Sequence, residues 1–96
     1  MSLIEKQSES VLASASSIAP KSTQIRVTGT TNIATIVPPY QGFSGMLVVI
    51  PVDGTVNTVT TGNIQTAVAM AQNRATVLFY NKTLDKWIAG AIGGAT

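Results

Sequence analysis

The run Met46-Leu47-Val48-Val49-Ile50 constrains this chain more than any other stretch. Its five apolar residues are uninterrupted, and Gly42-Phe43-Ser44-Gly45 on one side and Pro51-Val52-Asp53-Gly54 on the other close it off. A run that short between turn residues reads as a strand buried on both faces, because a helix would need ten or more residues to bury an equal stripe. Pro51 ends it, since proline has no N–H to give to a ladder. Shorter, half-buried strands would then pack around it.

From Thr23 onward those strands can be placed. Val, Ile and Thr dominate, and β-branched side chains suit a pleated surface better than a helix. Thr23–Thr28 alternates with period two, with Ile25 and Val27 on one face. After the turn at 29–32, Ile33–Val37 follows, so the pair reads as a hairpin. Asp53-Gly54 is a turn before Thr55–Thr60, where the step from Val56 to Val59 breaks the alternation and suggests a bulge. Thr61-Gly62-Asn63 turns again. In 64–71, Ile64, Val68 and Ala71 fit helical spacing, whereas Ile64, Thr66, Val68 and Met70 fit a strand; the segment reads as irregular, with at most one helical turn. Ala75–Tyr80 and Lys86–Ala89 form a last antiparallel pair, with Trp87 covering an end of the core. Turn signals at such short spacing predict an all-β fold, a small antiparallel sandwich or barrel.

Residues 1–22 are different material. Seven of the eight serines lie at or before Ser22, and all thirteen threonines lie at or after Thr23, so the chain divides into an arm (1–22) and a β domain (23–96). Ser2-Leu3-Ile4-Glu5 resembles a helix capping box. Ile4, Val11, Ala15 and Ile18 would share a helix face, though serines interrupt it. The expectation is an arm, flexible alone, that orders against a partner through Leu3, Ile4, Val11, Leu12 and Ile18.

Composition narrows the function. Only 10% of the residues are charged, against a usual level of about 25%. A chain so poorly supplied with charge, and too short to bury much more than about 60–65% of its unfolded surface, gains by burying apolar area against other copies. The net charge of +2 comes from scattered residues, so no basic face points to nucleic acid. No segment reaches the roughly 18 apolar residues of a membrane span. Neither a secretory signal nor a disulfide framework is visible, and a protein made in the cytoplasm is expected.

Catalysis finds few groups. The chain has no histidine and no cysteine, which removes the common triads and zinc sets. Glu5 and Glu9 fall in the arm, and Asp53 and Asp85 fall in turns, where aspartate bonds to nearby backbone. Neither glycine cluster, 42–45 or 90–94, leads into a lysine-bearing helix, so no phosphate loop is formed. The reading is of a non-enzyme without metal or cofactor. Tyr40, Phe43 and Trp87 are candidate contacts to a subunit or ligand.

Thr28-Gly29-Thr30, Ile33, Ile36, Pro38-Pro39, Gly42-Phe43-Ser44-Gly45, Val48-Val49-Ile50-Pro51, Thr61-Gly62-Asn63-Ile64, Phe79-Tyr80 and Trp87 occur in an order that resembles small β modules of tailed-bacteriophage virions. These are capsid decoration (cement) proteins and the ends of head or tail fibres. The resemblance spans roughly residues 24–88 and rests on turn and strand residues. It implies a homotrimeric barrel or sandwich on the outer surface of the capsid, with the major capsid protein as partner and no catalysis. The alternative within it is a fibre module holding a host-surface glycan.

Overall fold

The computed structural model describes residues 9–38, 40 and 43–90, and among them the fold is all-β without a helix. The strands are β1 (Glu9–Ala13), β2 (Ser17–Ile18), β3 (Gln24–Thr28), β4 (Thr35–Ile36), β5 (Gly45–Pro51), β6 (Val56–Asn57), β7 (Ala69–Met70), β8 (Thr76–Asn81) and β9 (Lys86–Ala89). Five of them build one mixed sheet in the order β1-β3-β5-β8-β9. In it β1, β3 and β5 run parallel, whereas β8 is antiparallel to both β5 and β9. Two-stranded sheets pair β2 with β4, parallel, and β6 with β7, antiparallel.

The first half of the chain therefore winds rather than folding back. Strands alternate between the large sheet and the small β2-β4 sheet, so two successive windings stack in parallel, as parallel strands require a crossover. The expected hairpin of 23–28 with 33–37 is replaced by this winding: β3 pairs with β1 and β5, and β4 with β2. The all-antiparallel expectation fails at the same place. The β8-β9 pair is antiparallel as expected, with Phe79 opposite Ile88 and Tyr80 opposite Trp87.

The boundary at residue 22 is one of composition and not of structure. Glu9–Ala13 is an edge strand in register with Gln24–Thr28, and Ile18 is 5% exposed in the core. The helical stripe through Val11, Ala15 and Ile18 is absent, since these residues lie in or between strands. Leu12 packs against the core and Val11 faces solvent. Leu3, Ile4 and the capping box lie outside the described residues.

The core is aliphatic with one indole. Ile25, Val27, Leu47, Val49, Leu78 and Trp87 from the large sheet meet Ile18, Ile33, Ile36, Val56, Ile64, Val68 and Met70 from the segments packed across it. In 64–71 the buried positions are Ile64, Val68 and Met70, which is the strand spacing. The expected bulge near Val56 resolves in the same way. Thr58, not Val59, is the inward residue, so the alternation from Val56 continues unbroken. Its hydroxyl accepts a hydrogen bond from the Val68 N–H at 2.8 Å and donates to the Thr66 carbonyl at 3.2 Å. Thr58→Val keeps the shape but strands the Val68 N–H in the interior. It should cost about 1–3 kcal/mol, read as a fall of roughly 5–15 °C in Tm.

Candidate functional site

The residues able to do chemistry are dispersed. Asp53 lies just beyond the Pro51 end of β5 and accepts a hydrogen bond from the Gly29 N–H at 2.8 Å. Asp85 lies in the β8-β9 turn, beside the Gly45 end of the same strand, with a backbone φ of 54°. A seven-residue strand separates the two ends by about 20 Å, so these carboxylates cannot act on one bond. Asp85 instead accepts a hydrogen bond from the Tyr80 hydroxyl at 3.2 Å. Partial burial, and then this neighbouring carboxylate, raise the Tyr80 pKa above the ordinary phenol value. Among the described residues no three His, Cys, Asp or Glu side chains gather where a metal could sit.

Two surfaces remain. The first is the outer face of the large sheet. Side chains alternate along each strand, so the residues between the core positions all emerge on one side. The central run is thus not buried on both faces. Leu47 and Val49 point into the core, whereas Met46 is 51% exposed and Val48 and Ile50 are half-buried. The register sets Met46 beside Phe79 and Phe79 beside Ile88, Val48 beside Val77, and Ile50 beside Arg26 and then Val11. The Phe79 ring lies against Gly90, where any side chain would collide with it. The result is an apolar patch across β5, β8 and β9, bordered on β3 by Gln24, beside Val48, and by the exposed Arg26. At its Asn81 end, Phe79, Ile88, Ser44 and Lys82 line a shallow depression.

The second surface is an aromatic cluster at the Gly45 end. Phe43 meets Tyr40 edge-on with ring centroids 5.5 Å apart, and it lies 6.1 Å from Trp87 and 6.2 Å from Tyr80. Tyr80 and Trp87 are 5.1 Å apart. These spacings are those of attractive offset and edge contacts. Beside the cluster lies a partly open cavity of about 300 Å³, lined by Tyr40, Phe43, Met46, Leu47 and Trp87 together with residues 20–23. Of the three rings singled out from sequence, Tyr40 is 64% exposed and Phe43 is half-buried, whereas Trp87 is 1% exposed and belongs to the core.

Asn63 is the residue that sequence reading passed over. Its side chain acts as a short strand, accepting from the Ile36 N–H at 2.9 Å and donating to the Ile36 carbonyl at 2.8 Å. That carbonyl also takes the Trp87 Nε1–H at 2.9 Å. The signal was the Thr61-Gly62-Asn63 triplet itself, which turn chemistry alone explains equally well.

No protein-family model matches the chain, and no curated protein matches it. One solved structure, described as "Structure of a chaperone-substrate complex", superposes with a TM-score of 0.51 at 12% identity. The match covers 79% of this chain and 14% of the other, so this chain spans about one seventh of that protein's length. At that identity the likeness is one of fold alone.

Proposed function

We propose that this chain is an accessory capsid protein, a decoration module that assembles as a homotrimer on the outer shell of a phage head and stabilises it without catalysis. The observation that carries the reading is the apolar outer face built by Met46, Val48, Ile50, Phe79 and Ile88. A face of this kind, on a chain with 10% charged residues, gains stability when copies cover it. The edge of β1, unpaired among the described residues, adds a second surface that assembly would shield. The resemblance to virion β modules supplies the shell as partner. A glycan-holding fibre module has less support, because Trp87 is buried and the aromatic cavity offers few groups to pair with sugar hydroxyls.

Light scattering on the purified protein should give the mass of three chains, and the protein should co-sediment with empty capsids up to a fixed stoichiometry. Met46→Glu with Phe79→Glu should leave the β circular dichroism unchanged while releasing monomers that no longer reach the capsid. A wild-type monomer, or capsid binding that ignores the charged face, would sink the proposal.

A further inference from the structure

We propose that the aromatic cavity binds a small amphiphilic anion, an apolar body ending in one carboxylate that meets Lys21. The inference does not rest on the capsid reading. It starts from how firmly the walls are held. The Thr23 carbonyl accepts the Val48 N–H at 2.7 Å, which sets residues 20–23 beside Met46 and Leu47 at the start of β5. Phe43 folds back over that strand, where a Cβ on Gly45 would come within 2.9 Å of its ring. Contacts to Tyr40, Tyr80 and Trp87 then fix the ring in place. Leu47 and Trp87 are themselves core residues, 3% and 1% exposed. The cavity therefore stands open before anything enters it, and a ligand has little of the protein to order on binding.

The lining divides by chemistry. Tyr40, Phe43, Met46, Leu47 and Trp87 offer rings and aliphatic surface, whereas the bend at 20–23 brings the one charge, Lys21, with the hydroxyls of Ser22 and Thr23. The Trp87 Nε1–H is taken by the Ile36 carbonyl, and the Ser22 hydroxyl bonds to that of Ser10, so both are already engaged. Lys21 is exposed, and its ammonium has no partner among the described residues. These groups choose the ligand. A cation would be drawn to the rings but repelled by Lys21. A sugar would bury hydroxyls against walls that cannot pair with them. An apolar body with one anionic end uses both parts of the lining. At about 30 Å³ for a group the size of a water molecule, the cavity of about 300 Å³ has room for about ten carbon atoms. The ligand class is thus a medium-chain monocarboxylate.

Trp87 is the chain's one tryptophan and it lines the cavity, so its fluorescence reads occupancy in the full-length protein. Decanoate, kept below its micelle concentration, should change that emission saturably, with one ligand per chain. Decyltrimethylammonium carries the same body with the opposite charge, and it should bind about tenfold more weakly, the weight of one charge-assisted contact. Lys21→Glu should weaken decanoate by a similar factor and reverse the preference, with the circular dichroism unchanged. Thr23→Phe adds bulk to the exposed side of the lining and should weaken both ligands. No saturable response in the wild-type protein would overturn the proposal, as would equal affinity for the two ligands or indifference to Lys21→Glu. Binding untouched by Thr23→Phe would place the ligand elsewhere and overturn it too. So would a response that tracks the separation of associated chains in light scattering, because the cavity would then be a contact between copies.

Discussion

Trp87→Ala is expected to lower stability by about 3–5 kcal/mol. A domain of 96 residues has roughly 5–14 kcal/mol in all. Thermal unfolding followed by circular dichroism should therefore show Tm lower by roughly 15 °C or more, with some chains unfolded at room temperature. The magnitude follows from where the indole stands. Trp87 is 1% exposed, touches Phe43 and Tyr80, and sends its Nε1–H to the Ile36 carbonyl at 2.9 Å, across to the segment that pairs with β2. It is the largest fully buried side chain in a core otherwise built from Ile, Val, Leu and Met, so nothing nearby can expand into the space it leaves. Trp87→Phe separates the two contributions. It keeps a six-membered ring in the cluster and removes the pyrrole part of the indole with its N–H, while Ile36 retains Asn63 as donor. A loss of about 1–2 kcal/mol is expected. Equal losses for Ala and Phe would mean that the hydrogen bond, and not the ring, holds the layers together.

Much of the framework could be read from residue type. Strands β5, β8 and β9 announce themselves through apolar runs and bounding turns, and their antiparallel pairing follows from the short β8-β9 connection. Pairing direction further upstream left no such mark. Alternation in Gln24–Thr28 specifies which side chains face inward, but that pattern is the same whether the neighbour runs parallel or antiparallel. The four residues between Thr28 and Ile33 are long enough for a hairpin, and only the burial of Ile33 and Ile36 against the opposite layer decides that the chain crosses over instead. The Ser-rich opening misled for a related reason. Low hydrophobicity argues against an autonomous element, yet β1 is an edge strand that needs only Leu12 inside and borrows its ladder from β3. At Thr58 a polar residue occupies a core position, so a reading that counts only aliphatic residues finds a false break. The aromatic cavity was legible as the rings Tyr40, Phe43 and Trp87, but not as a cavity, because part of its lining comes from residues about twenty positions upstream of Phe43.

The other large effect is expected at Asn63. Asn63→Ala removes the acceptor for the Ile36 N–H and one of two donors to the Ile36 carbonyl, at a residue with no exposure to solvent. The carbonyl keeps the indole, but the N–H is left buried and unpaired, a penalty of about 1–3 kcal/mol to which the lost hydrogen bonds add. The total should approach about 3 kcal/mol, with Tm lower by roughly 12 °C or more. The loop around Asn63 has no freedom to compensate. Its own N–H donates to the Ala34 carbonyl at 3.1 Å, its carbonyl accepts from the Trp87 N–H at 2.8 Å, and Lys86 Nζ donates to the Gly62 carbonyl at 3.3 Å. Gly62 lies so close to Ala34 and Thr35 that any Cβ there would collide with the Ala34 carbonyl oxygen. Gly62→Ala must therefore push the loop outward, and it should reproduce the Asn63→Ala loss without touching the amide. If both act by detaching the loop from Ile36, the double variant will be little worse than either alone, because each breaks the same contact. Full additivity in a denaturant titration would show instead that Asn63 and Gly62 stabilise the protein through separate interactions.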